Sequence, residues 1–172
     1  MPEATDIASR VEGVYRAIQR TRMEGVPILN PRLEVEAIGF GAYEGVWLGV
    51  LVTPWLINLM LVADDAEASL VWTPQVPGTT IPHRLPAGAF DFLVGEDADL
   101  GRYRMCSLLS PVLEIEDQAA ARLFAETALA AVLDAGLAEE GEDIAEPPAT
   151  VEPRQLTRRN LLTPAPRREG LA

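Results

Sequence analysis

The chain has 172 residues, 48% of them hydrophobic, with a single cysteine and a single histidine. That suffices for one domain with an ordinary core, and it excludes an internal disulfide and an intrachain zinc or iron-sulfur site of the usual His/Cys type. Its 26 acidic residues outnumber 14 basic ones, all arginine, and the net charge of -12 argues against nucleic acid and anionic membranes as partners and favours cationic ones.

Thr5 or Asp6 can cap a helix running to about Met23, with Ile7, Val11, Val14 or Tyr15, and Ile18 along one face. Gly25 and Pro27 stop it. Asn30-Pro31 then turns the chain into Leu33, Val35 and Ala37, an alternating strand with Glu34 and Glu36 on its other side. Gly39, Gly41 and Gly45 predict a wide, loose turn. Val46 to Thr53 is β-branched, aromatic and aliphatic apart from one glycine, the composition of a buried strand. Pro54 ends it, because proline cannot donate to a ladder and keeps Thr53 out of helical dihedrals. Thr53-Pro54-Trp55 is thus a fixed corner leading into Leu56, Ile57, Leu59 and Leu61. Two readings of its tryptophans stand: Trp47 and Trp55 are both core anchors, or the corner presents Trp55 at the surface as a contact.

After the corner, a short helical turn and a strand over Leu59 to Val62 lead to an acidic loop at Asp64, Asp65 and Glu67, and Leu70 to Thr73 reads as a further strand. Pro74, Pro77, Gly78, Pro82, Pro86 and Gly88 punctuate a long loop that holds His83; a loop of this length serves either binding or coverage of the sheet. Ala89 to Val94 and Arg102 to Leu109 alternate as the arms of a hairpin. An alanine-rich helix follows from about Glu116 or Asp117 to Asp134, with Leu123, Phe124, Ala128, Ala131 and Val132 on its apolar face and Gly136 placed to end it. The sum is an α+β domain, residues 1–140, in which an antiparallel sheet of five or six strands packs against an N-terminal and a C-terminal helix. From 141 to 172 acids give way to prolines and arginines with few large apolar residues, a composition that predicts a disordered tail.

No catalytic constellation is legible. GxxxxGK(S/T) and a strand-linked GxGxxG are absent, and nothing brings His83 to Cys106. Cys106, in an apolar strand, reads as a small buried hydrophobe rather than a reactive thiol. The prediction is a protein that is not an enzyme and holds no cofactor or metal. The longest apolar run, Trp55 to Ala63, falls well short of the roughly 20 residues of a membrane span. The acidic start MPEATD lacks a basic and apolar leader, so a cytoplasmic location is expected.

Glu44-Gly45, Trp47, Gly49 and Thr53-Pro54-Trp55, followed by Leu85-Pro86-x-Gly88, Gly95-Glu96, Tyr103, Cys106-Ser107-Leu108 and Ser110-Pro111, stand in an order and spacing that resembles the HybE/HupJ family of [NiFe]-hydrogenase assembly chaperones. The likeness spans roughly Val11 to Val132. Arg158-Arg159-x-Leu161-Leu162 resembles the family's tail, whereas Thr163-Pro164-Ala165-Pro166 departs from its usual ending. The resemblance implies a cytoplasmic chaperone that engages the precursor of a hydrogenase small subunit through its twin-arginine signal peptide, with the large subunit as a second candidate, and coordinates maturation before export. The alternative is a protective scaffold for an immature cluster-bearing subunit, without signal-peptide recognition. An acidic surface beside an exposed apolar groove would match a peptide that is basic and then apolar. The candidate contacts are Pro54 and Trp55 for the apolar part, Glu44 and Glu96 for pairing with arginines, and Arg158 and Arg159 in the tail.

Overall fold

Amphipathic spacing buries Ile7, Val11, Val14 and Tyr15 along one side of helix α1 (Ala4–Arg22). Asp6 lies inside this helix rather than capping it: its carboxylate accepts the Glu3 backbone N–H at 3.1 Å and so closes the first turn. Six strands follow, β1 (Glu36–Tyr43), β2 (Val46–Val52), β3 (Ile57–Ala63), β4 (Thr80–Leu85), β5 (Gly88–Asp97) and β6 (Gly101–Leu109). Helix α2 (Gln118–Val132) and a 3₁₀ turn at Ala135–Leu137 complete the chain as far as the computed structural model describes it, at residues 2–63, 72 and 74–138. The architecture is the expected α+β one, a six-stranded antiparallel sheet with an N-terminal and a C-terminal helix.

The strands lie in the order β1-β2-β3-β6-β5-β4, so two meanders are joined along the β3–β6 ladder, where Leu59 faces Cys106 and Met60 faces Met105. β2 and β3 are buried on both faces, which is why their sequences are apolar runs rather than alternations. Leu48, Val50, Leu59 and Leu61 pack with Ala121, Ala125 and Val132 of α2. Leu51, Met60 and Val62 point the other way and pack with Ile7, Val11 and Tyr15 of α1. Twist carries diagonally opposite corners of the sheet together over α2: the β1–β2 and β4–β5 turns line one cleft, and Ala87 N–H donates to the Val132 carbonyl at 3.1 Å.

Several local expectations are corrected. β1 starts at Glu36 rather than Leu33 and runs to Tyr43, so the glycine-rich approach to β2 is no wide turn but a two-residue hairpin, Glu44-Gly45, with φ of 47° and 81°. Gly39 sits at a break in the β1–β2 register, where a Cβ would come 2.6 Å from the Leu129 side chain. β3 begins at Ile57 with no helical turn, because the corner before it closes on itself. The supposed long loop contains β4; Pro82 is tolerated there because β4 pairs on one side only. The acidic loop at 64–67, the strand expected over Leu70 to Thr73 and the tail from 141 to 172 lie outside the described residues, apart from Trp72, which is buried. Among the described residues no helix is long and apolar enough to cross a membrane.

Candidate partner-binding surface

The Thr53-Pro54-Trp55 corner is a buried structural joint. The Thr53 hydroxyl donates to the Leu56 carbonyl at 2.9 Å and accepts the Leu56 N–H at 3.0 Å, while Asn30 N–H donates to the Pro54 carbonyl at 2.7 Å. Trp55 stacks on Tyr15 of α1 with ring centroids 6.4 Å apart and is only 7% exposed. Of the two readings of Trp55 the core one holds, because α1 lies over the corner, and the candidate contacts Pro54 and Trp55 do not stand at the surface. Trp47, expected to be the more deeply buried tryptophan, is half-buried.

Other residues that carry the resemblance also have packing roles. Gly95 lies opposite Tyr103, and a Cβ there would be 2.5 Å from the tyrosine ring; Gly49 lies under Phe40 in the same way. Glu96 meets the Arg102 guanidinium at 2.7 Å across the β5–β6 pair, so its charge is already answered within the chain. Asn30, 2% exposed, donates to the carbonyls of Val112 and Ile115 at 2.9 Å each and holds the segment leading to β1 against the one leading to α2.

Glu44 behaves differently. It is exposed at the tip of the first hairpin, in a left-handed conformation that costs a non-glycine residue about 1 kcal/mol. With Tyr43, Arg84, Leu85 and Pro86 it lines a cleft of about 380 Å³, so Glu44-Gly45 and Leu85-Pro86, well separated in sequence, converge here. The Ala87–Val132 hydrogen bond seats the last turn of α2 beside this cleft. Leu123, expected on the buried side of α2, is 66% exposed; the buried positions are Ala121, Ala125 and Val132. Phe124, Ala128, Ala131 and Val132 of the expected face do turn inward; an alanine-rich helix offers little contrast between its faces, which is why spacing alone misplaced Leu123 at its edge. Arg158 and Arg159 lie outside the described residues.

His83 and Cys106 do not form a catalytic pair. β5 runs between their strands, and Phe92 meets the His83 ring edge-on with centroids 5.8 Å apart. His83 Nδ1 accepts from the guanidinium of Arg104, itself 8% exposed, at 3.0 Å. A guanidinium can only donate, so the imidazole is neutral with its proton on Nε2. Burial first and the Arg104 charge second hold the histidine below its ordinary pKa. Arg104 also donates to Gln75 Oε1 at 3.2 Å and lies over the Trp72 ring at 4.4 Å. Burial, then Asp91, pushes the Cys106 thiol up, which suppresses the thiolate that nucleophilic chemistry requires.

Residues 6–164 match the family model described as "[NiFe]-hydrogenase assembly, chaperone, HybE". The chain belongs to this family. Its HybE-family relatives include the hydrogenase expression/formation protein HupJ of Bradyrhizobium diazoefficiens, 37% identical over 94% of this chain and 90% of that one. A second is the hydrogenase expression/formation protein HupT of Azotobacter chroococcum, 44% identical over 88% of this chain and 90% of the relative. The solution structure of HybE from Escherichia coli covers 95% of this chain and 91% of its own, with a TM-score of 0.58 at 25% identity. This HybE-family chain is accordingly a hydrogenase assembly chaperone and not a catalyst.

Proposed function

We propose that this chaperone binds the precursor of a [NiFe]-hydrogenase small subunit in the cytoplasm through its twin-arginine signal peptide, with the large-subunit precursor as a second client. The observation that carries this reading is the exposed Glu44 carboxylate at a cleft lined also by Tyr43, Arg84, Leu85 and Pro86, on a protein of net charge -12. A leader of this kind is basic and then apolar, and the cleft offers a carboxylate beside apolar walls. Of the four candidates among the described residues, Glu44 is the one that is exposed and outside the ion pairs found there. Pro54 and Trp55 serve the contact indirectly, by fixing the joint beneath α1.

Titration of the full chain with a small-subunit precursor, and with the same precursor lacking its leader, tests the proposal. Binding to the leaderless form should be at least about tenfold weaker, a difference of roughly 1.4 kcal/mol. Glu44→Asn keeps a residue that tolerates the left-handed turn while removing the charge, and should weaken precursor binding about fivefold with no loss of thermal stability. Equal affinity for both precursors would reject the signal-peptide reading in favour of the scaffold role.

A further inference from the structure

A surface helix ordinarily presents charged and polar residues to water, and large leucines left exposed among them on its outer face can mark a contact. α2 carries only two charged residues, Arg122 and Glu126, in fifteen. Leu123, Ala130 and Leu133 are all exposed and, at about 100° per residue, fall within about 80° of arc, which also takes in the exposed Glu126, with Arg122 just beyond its edge. Leu123 is 66% and Leu133 40% exposed, and Leu137, 58% exposed, follows in the 3₁₀ turn.

The surroundings of this stripe say what could cover it. Between residues 113 and 138 stand Glu114, Glu116, Asp117, Glu126 and Asp134 against one base, Arg122, whose Nε already donates to both carboxylate oxygens of Glu36 at 2.7 and 2.9 Å. A second copy docked on the same face would set this acidic rim against its own image. A cationic occupant gains where a second copy loses. The turn carrying Pro86, which lines the cleft, is bonded to the last turn of α2 through Ala87 N–H and the Val132 carbonyl.

We propose that the outer face of α2 receives the apolar run of a peptide whose arginines are drawn by the acidic rim. The inference rests on the signal-peptide reading and assigns that peptide's apolar half a place. The test uses the full chain, a Leu123→Ser/Leu133→Ser variant, and two labelled synthetic peptides. One has two adjacent arginines ahead of a leucine-alanine run; in the other the run is replaced by serine and glycine. Both substituted positions are exposed, and circular dichroism with thermal melting checks that the variant folds as the parent does. The parent should bind the first peptide at least tenfold more tightly than the second, and the variant should lose that preference while still binding the second in a salt-sensitive way. An unchanged preference in the variant overturns the proposal. So does gel filtration that finds a dimer of the parent and a monomer of the variant with peptide binding unaltered, since a second copy would then own the face. If the variant still distinguishes precursor from leaderless precursor as the parent does, the place on α2 is wrong and the signal-peptide reading survives. If the parent itself fails to distinguish them, both fall.

Discussion

The Thr53 hydroxyl acts as donor and acceptor within a single turn and leaves the β2–β3 corner with its polar groups satisfied from inside the chain. Trp55 completes the joint by stacking on Tyr15. Trp55→Ala should therefore cost about 3–5 kcal/mol, the range for emptying a packed aromatic site, whereas Trp47→Ala, at a half-buried position, should cost about half as much or less. Urea unfolding of the two variants checks this; a Trp55 variant as stable as the parent would show that α1 does not seal the corner. The sequence identified the corner but could not bury its tryptophan. Proline fixes the backbone from local information alone, while the group that covers Trp55 comes from a helix far back in the chain. Glu44 is a similar case: its position before Gly45 was legible, whereas its convergence with Pro86 depends on the twist of the whole sheet.

Among the elements, α1 and the β5–β6 hairpin were legible because each repeats its apolar residues at the period of its own structure, β2 because it is a continuous β-branched and aliphatic run, and α2 because it is rich in alanine. β4 was not, since Thr80-Ile81-Pro82-His83-Arg84-Leu85 has turn-like chemistry and becomes a strand only by pairing with β5. Its histidine makes the attachment of this strand sensitive to acid. Burial and then Arg104, which faces His83 from β6, lower its pKa and together outweigh Glu44, which acts from the first hairpin to raise it, so the folded-state pKa lies below the unfolded value of 6.5. The unfolded chain then binds the extra proton. His83 contributes its full stability above pH 6.5, and that contribution is lost as pH falls from there toward the folded-state pKa. Denaturant unfolding at pH 7.5 and 5.5 should show His83→Gln losing less stability on acidification than the parent. Equal losses would mean that His83 reaches water in the folded protein.

At the scale of the molecule, composition set the class correctly, since 48% apolar residues describe a chain with an ordinary folded core. Order within the sheet was beyond sequence reading, because hairpins are local whereas the placement of β6 beside β3 is not. That seam has a temporal meaning. Within each meander the strands meet across short turns, but bringing Val62 to Tyr103 closes a loop spanning the whole second meander. Loop closure on that scale is entropically costly before its contacts form, so the seam is the slow step and the hairpins are the fast ones. Leu59→Ala, on the seam, should slow refolding in stopped-flow measurements, while Ile81→Ala, on the outer strand, should chiefly speed unfolding. If both variants divided their effects between the two rates alike, the halves would be assembling together. In that order of events, a newly made chain holds the first meander ready while its receiving edge at β3 stands open until β6 has been synthesised.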